Sequence, residues 1–460
     1  MSVDLIDVGV KAVKAAIKAD VDQAEAFLIQ TYHATVEIEK GSVKYAYVVS
    51  DDGLSVKAIY KGSSGFSYAT TLEAEQVKDA ARLASAQAKA GTPDPDFKSL
   101  PEPKALPTVR GIYDRNVVEM KSEDLVEIAI EIAEAQKIDK RIYSVNSAVR
   151  CGWQKIAVVN SLGVECEDES TLAYAGGEAA AKEKGEMSSG FELQTSRKLA
   201  DVNPSWIGRT AAEHAVKSLF GRKMKTATLP VVLDPIAAAN VFFTSIMPGV
   251  DAENIQYKRS YLCEKLGEKI GSDLFTVVDD GTHAGGVGSL SFDAEGIPSQ
   301  RTTIIDRGVL KGYLYDAYTA GKEGRESTGN ALRVASGSIF PDYRGRPTIG
   351  VRNLIVKPGK GTIEDLISEV DNGILLRATW DRPNLATGEF SGLISDGYRI
   401  EDGEVKYATR QTNIGINMID FFKQISTVAA DSRQIYLPSR PYSVITPAIM
   451  VEKVTVSGAR

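Results

Sequence analysis

Residues 279–333 read DDGTHAGGVGSLSFDAEGIPSQRTTIIDRGVLKGYLYDAYTAGKEGRESTGNALR, and no other stretch of the chain packs glycines, carboxylates and short punctuated strands so closely. TTIIDRGVLKGYLYD reads as two strands joined at Asp306-Arg307-Gly308, where glycine permits the positive φ of a tight hairpin. Glycine-rich loops flank it at residues 281–288 and 321–329. Irregular backbone at strand ends is where binding groups collect.

Working outward, residues 225–460 read as a β-rich C-terminal domain containing one buried helix. Residues 229–233 form a short apolar strand, and Asp234-Pro235 starts a helix: Asp caps it, and Pro at the first position loses no needed hydrogen bond. Residues 236–247 are apolar nearly all round, so this helix should be central and buried, ending at Pro248-Gly249. Further helices are expected at 363–370 and 418–428.

The preceding half reads as an α/β region with antiparallel sheets and flanking helices, giving an α+β protein overall. Residues 1–90 form one subdomain: a helix with Leu5, Val8, Ala12 and Ala16 on its apolar face, then strands at 26–38, 42–49, 54–60 and 65–70 separated by KGS, DDG and KGSSG. Thr70 followed by Glu73 has the form of a capping box opening a helix over 72–90. Five prolines make residues 91–108 an extended connector. Residues 109–224 form a second subdomain, with a helix capped by Ser122, strands at 142–149, 155–159, 164–174 and within 178–195, and a helix over 206–220.

The 460 residues suggest two or three domains. An apolar content of 43% and a charged content of 25% are those of a soluble globular protein. No apolar run reaches the ~18 residues of a membrane span, and no leader pattern opens the chain. The three cysteines cannot all pair and are too dispersed for a metal clip, which points to a reducing cytoplasm. With a net charge of −7 and no Lys/Arg run, direct nucleic-acid binding lacks its electrostatic source.

The candidate chemistry is sparse. The three histidines, His33, His214 and His283, fall in separate segments outside any HExxH pattern. Asp279, Asp280, Asp293 and Glu295 surround a glycine loop beside His283, so a cation site or an acid/base pair is conceivable. The favoured reading is turn chemistry, with Asp293 and Glu295 capping backbone amides. Thr328, Gly329 and Asn330 can contact a peptide backbone, or cap their own turn. There is no GxSxG elbow, Walker sequence or GxGxxG fingerprint.

DDG, SFDAEGIPSQRTT, DRGVLKGYLYDAYTA and STGNALR, in this order and spacing, resemble the C-terminal domain of the TldD/PmbA family, the "modulator of gyrase" proteins. LPVVLDP at Leu229, SYLCEKLGEKIGS at Ser260 and ATGEFSGLISDGYRIEDGEV at Ala386 extend the resemblance, which covers essentially the whole chain. The TldD-like branch carries an H-E-x-x-x-H zinc motif on the helix after its VVL-x-P strand and a cysteine ligand near its C-terminus. Laid over this chain without gaps, the motif falls on Phe243, Thr244, Ser245, Ile246, Met247 and Pro248, and no cysteine follows Cys263. The resemblance therefore implies the PmbA (TldE) branch: a metallopeptidase-family protein whose own zinc ligands are missing, with zinc in a TldD-like partner. That pair would act on peptides or unfolded polypeptides.

Two alternatives stand beside it. One is a self-sufficient hydrolase with an unrecognised carboxylate site around Asp279 and Asp293; the other is a non-catalytic homodimeric peptide-binding scaffold. The chain could also homodimerise when alone.

Overall fold

A computed structural model describes residues 3–333, 339–436 and 443–458. Helix α1 (Leu5–Lys18) opens on Asp4, whose carboxylate accepts the Asp7 amide at 3.0 Å. Strands β1 (Gln23–Glu39), β2 (Ser42–Tyr60) and β3 (Ser63–Ala69) follow, then helix α2 (Ala74–Ala90). Beyond residues 91–114, which hold neither helix nor strand, and a four-residue helix, Arg115–Val118, come helix α3 (Ser122–Ala135), strands β4 (Ile142–Asn160), β5 (Glu165–Glu183) and β6 (Glu186–Ser196), and helix α4 (Pro204–Lys217).

These six strands form one sheet in the order β3-β2-β1-β4-β5-β6. Strand β1 pairs antiparallel with β4 from Glu25–Asn160 to Ile38–Ser147, so the sheet runs across the proline-marked connector. Helices α1 and α2 cover one half of a face through Leu5, Ala12, Val77 and Ala84. Helix α3 covers the other half through Leu125, Ala129 and Ile132. This alternation of a packed face with a second face available to other parts of the chain is what antiparallel strands allow.

Downstream, helix α5 (Pro235–Val250) lies in the core between two sheets. One holds the strands Ala227–Leu233, Asn372–Ala378 and Ile449–Gly458; the other holds Val277–Asp280, Arg301–Asp306 and Asn353–Val356. Val231, Ile374 and Ile449 from the first and Val277, Ile304 and Leu354 from the second join Phe242, Phe243 and Ile246 in one buried cluster. The α+β class, the β-rich C-terminal half and the buried helix are therefore as expected.

Several local expectations are corrected. The segments 42–49 and 54–60 are one strand, because Asp51-Asp52-Gly53 is not a turn: a Cβ on Gly53 would lie 2.4 Å from the Tyr343 ring, so this glycine serves a close approach. Strand β4 likewise continues through Gly152, where a Cβ would meet the Tyr32 carbonyl at 2.2 Å. No capping box forms at Thr70; helix α2 starts after Glu73, whose amide donates to Thr71 Oγ1 at 3.2 Å. Ser122 is inside α3, which Asp124 closes by accepting the Lys121 amide at 3.0 Å. Helix α5 runs through Pro248 to Val250, and residues 418–428 divide into a short helix, Met418–Lys423, and a strand, Ile425–Val428.

Candidate functional site

The stretch 279–333 forms the joint between the N-terminal sheet and the C-terminal domain. The hairpin forms where the sequence places it, with Arg307 at φ 46° and Gly308 at φ 75° linking Arg301–Asp306 to Val309–Leu310. Leu290, Phe292, Ala294 and Ala331 pack against Phe27, Ile156 and Val158 of β1 and β4. Gly296, at φ 78°, presses so close that a Cβ would sit 2.6 Å from Val164.

The carboxylates of this joint are committed to it. Asp293, 1% exposed, accepts the amides of Glu295, Ile297 and Ala331 at 2.9, 3.0 and 3.0 Å. Asp279 accepts Asn330 Nδ2 at 2.6 Å and the Arg352 amide at 2.7 Å. Glu295 accepts the Ala317 amide at 2.8 Å and faces Lys57 of β2 at 3.8 Å. Asp280 holds the hydroxyl and amide of Thr282 at 2.7 and 2.9 Å. Thr328 Oγ1 accepts the Tyr315 amide at 2.7 Å, and Gly329 has φ 70° with a Cβ position 2.7 Å from the Pro298 carbonyl. Burial raises the carboxyl of Asp279 to about 7 and pushes those of Asp293 and Glu295 upward as well.

Asp293 also lines a cavity of about 50 Å³ with Arg197, Arg333 and Arg352. None of the seven candidates lines the larger opening, a cleft of about 920 Å³ elsewhere in the molecule. The cleft lies between the inner face of the N-terminal sheet and the C-terminal domain. Glu37, Tyr174, Phe191 and Glu192 come from the sheet; Asn240 of α5, Trp380 and Asp396 come from the other side. Trp380 is 51% exposed and packs on Phe191 with ring centroids 5.8 Å apart. Apolar rings beside a few convergent polar groups are the usual make-up of a binding cleft.

Beneath the cleft sits a charge network that sequence reasoning missed. Arg377, 3% exposed at its side chain, reaches Asp396 at 2.9 Å, Glu192 at 3.2 Å and Asp234 at 3.8 Å. Arg433 holds the other oxygen of Glu192 at 2.7 Å. Burial raises the Asp396 carboxyl, with the Arg377 charge opposing the shift. Asp234 also performs its expected helix cap, accepting the Ile236 amide at 2.8 Å. The remaining signal was slight: one arginine inside the apolar strand NGILLRA.

The histidines are dispersed: His33 is buried in β1, His214 is half-buried with Nδ1 3.0 Å from Tyr398 Oη, and His283 lies in the joint. Burial lowers His214 to about 3, so it is neutral at physiological pH. Burial also pushes the Cys151 thiol up to about 12, which leaves it without thiolate character. On α5, Phe243 and Ile246 present hydrocarbon, and the hydroxyls of Thr244 and Ser245 donate to the helix's own carbonyls at 2.8 and 2.6 Å. These side chains do not fit a zinc ion, which takes imidazole, thiolate or carboxylate. Among the described residues no group of three or more His, Cys, Asp or Glu is placed to hold a metal.

Three family models match in tandem: PmbA/TldA metallopeptidase domain 1 over residues 24–88, the central domain over 115–219, and the C-terminal domain over 226–458. An uncharacterized protein of Methanocaldococcus jannaschii is 28% identical over 87% of this chain and 90% of its own length. A metalloprotease TldD homolog of Buchnera aphidicola is 25% identical over 92% of this chain and 89% of its own. Among solved structures, TldE from Thermococcus kodakarensis superposes with a TM-score of 0.89 at 26% identity, covering 98% of this chain and all of that one. With all three domain models in order along one chain and the fold shared from end to end, this protein belongs to the PmbA/TldD metallopeptidase family.

Proposed function

We propose that this chain is a metal-free subunit of a PmbA/TldD-type metallopeptidase: it walls the substrate chamber for peptides or unfolded polypeptides while a TldD-like partner supplies zinc. The observation that carries the reading is helix α5, where Phe243, Thr244 and Pro248 stand at the family's motif positions: Phe243 and Thr244 are buried, and Pro248 has no ligand atom to offer. The cleft supports the chamber role, since its Phe191–Trp380 wall and the polar groups of Glu37, Asn240 and Asp396 suit a chain whose side chains need pockets and whose backbone needs hydrogen-bond partners. The cytoplasm is the proposed compartment, in keeping with unpaired Cys151, Cys166 and Cys263. No helix among the described residues is long and apolar enough to cross a membrane.

Asp279 and Asp293, the basis of a self-sufficient hydrolase, are engaged by backbone amides, which speaks for the subunit reading over that alternative. Reconstitution tests the proposal. An unfolded polypeptide should survive incubation with this chain alone and be cleaved when a TldD-like subunit is added. Replacing Trp380 with Ala should then slow cleavage by about tenfold, in the range that a lost aromatic contact with the substrate gives, without releasing the partner. Cleavage by this chain alone would refute the proposal.

A further inference from the structure

Three arginines share one small cavity at the joint. Arg197 follows strand β6, whereas Arg333 and Arg352 belong to the C-terminal domain; with Gln154 of β4 they line the space of about 50 Å³ described above. Arg197 is 2% exposed, Arg333 4% and Arg352 7%. Buried charges are ordinarily matched by an opposite charge. Here the acceptors in reach are main-chain carbonyls. Arg197 gives Nε, Nη1 and Nη2 to Gly286, Thr171 and Ser289 at 3.0, 2.8 and 2.9 Å. Arg333 gives Nη1 to Tyr343 and Gly345, and Arg352 gives Nη2 to Phe292. No ion pair joins any of the three to a carboxylate among the described residues. Nε of Arg333, Nε of Arg352 and Oε1 of Gln154 have no hydrogen-bond partner there.

The carboxylates around them are otherwise engaged. Asp293, on the same lining, accepts its three amides. Asp168, which acts on Arg197 and Arg352 from beyond ion-pair distance, holds the amide and hydroxyl of Ser291 at 2.7 and 2.8 Å. Glu25, which acts on Arg333, is pushed toward its neutral form by burial. The arginines stay charged at neutral pH, since burial lowers Arg197 only to about 9 and Arg333 to about 10.

We propose that this cavity is a binding site for one small inorganic oxyanion, hydrogenphosphate, which bridges the two halves of the chain. Planar guanidinium groups match phosphate oxygens. The hydroxyl of the ion can donate to Gln154 Oε1, a role that sulfate and chloride, which carry no proton at neutral pH, leave unfilled. A volume of about 50 Å³ suits an ion of this size and excludes a nucleotide or a peptide. The site lies apart from the cleft, and the inference is independent of whether peptides are cut.

Equilibrium dialysis of the full chain against radiolabelled phosphate, in a chloride buffer, should show saturable binding of about one ion per chain, and phosphate at millimolar concentration should raise the thermal midpoint, as a ligand of the folded state does. Sulfate should bind about tenfold or more weakly, the consequence of a buried acceptor left unmet. Arg333→Met and, separately, Arg352→Met should each weaken phosphate binding by about tenfold or more and abolish the rise in midpoint, as loss of a charge-assisted hydrogen bond does. Neither substitution breaks an ion pair, so both variants should fold. No saturable phosphate binding by the wild type, sulfate binding as tight as phosphate, or undiminished binding by both variants would each overturn the proposal.

Discussion

Asp279 and Arg377 show opposite ways of keeping a charge inside. Asp279 has its carboxyl raised to about 7 by burial, above the ~4 of an exposed aspartate. The folded state therefore holds this proton more tightly than the unfolded chain. Its contribution to stability is fully present below pH ~4 and is lost as the pH rises toward about 7. Urea unfolding between these limits should show wild type losing stability with rising pH, and Asp279→Asn should flatten that slope. Arg377 stays charged because Glu192, Asp234 and Asp396 surround it. Arg377→Met strands those carboxylates and should cost about 3–5 kcal/mol in the same assay, the usual range for breaking a buried pair. Gly329→Val tests folding before it tests substrate contact, since φ 70° and the Pro298 carbonyl both oppose a side chain there. Loss of soluble, folded protein is the expected outcome.

Among the elements, helix α5 was legible because an all-round apolar helix has only one place to go, the core. Phe242 packs on Phe275 and Phe421 with centroids 5.4 and 6.3 Å apart, so Phe242→Ala should destabilise by about 3–5 kcal/mol in chemical denaturation. The helix end was misread because Pro248 usually stops a helix. Here the helix continues by two residues, and its last carbonyls find side-chain donors, with Asn254 Nδ2 giving to Pro248 at 3.0 Å and Ser260 Oγ to Gly249 at 2.7 Å. Strands β2 and β4 were read as pairs of shorter strands for a related reason. Gly53 and Gly152 look like punctuation in one dimension, whereas in the fold they admit the Tyr343 ring and the Tyr32 carbonyl. Glycine that serves a distant neighbour cannot be told from glycine that serves a turn without that neighbour.

For the molecule as a whole, the α+β class followed from periodicity, while the union of β1–β3 with β4–β6 depends on the long-range pairing of β1 with β4. The density of glycines and carboxylates at 279–333 marked a place of close approach, and the approach proves to be between the two halves of the chain. The cleft, by contrast, draws Glu37, Glu192, Asn240, Trp380 and Asp396 from segments far apart in sequence, and only Asp396 lies in a stretch that carries the family resemblance. Only the helix positions Phe243, Thr244 and Pro248 spoke to chemistry, and they did so through the family comparison. If this subunit walls the chamber without metal, zinc belongs to its partner alone. Elemental analysis of this chain and a TldD-like partner, each purified separately and then from their complex, decides it. No stoichiometric zinc is expected in this chain and about one zinc per partner; about one tightly held zinc in this chain alone would overturn the metal-free role.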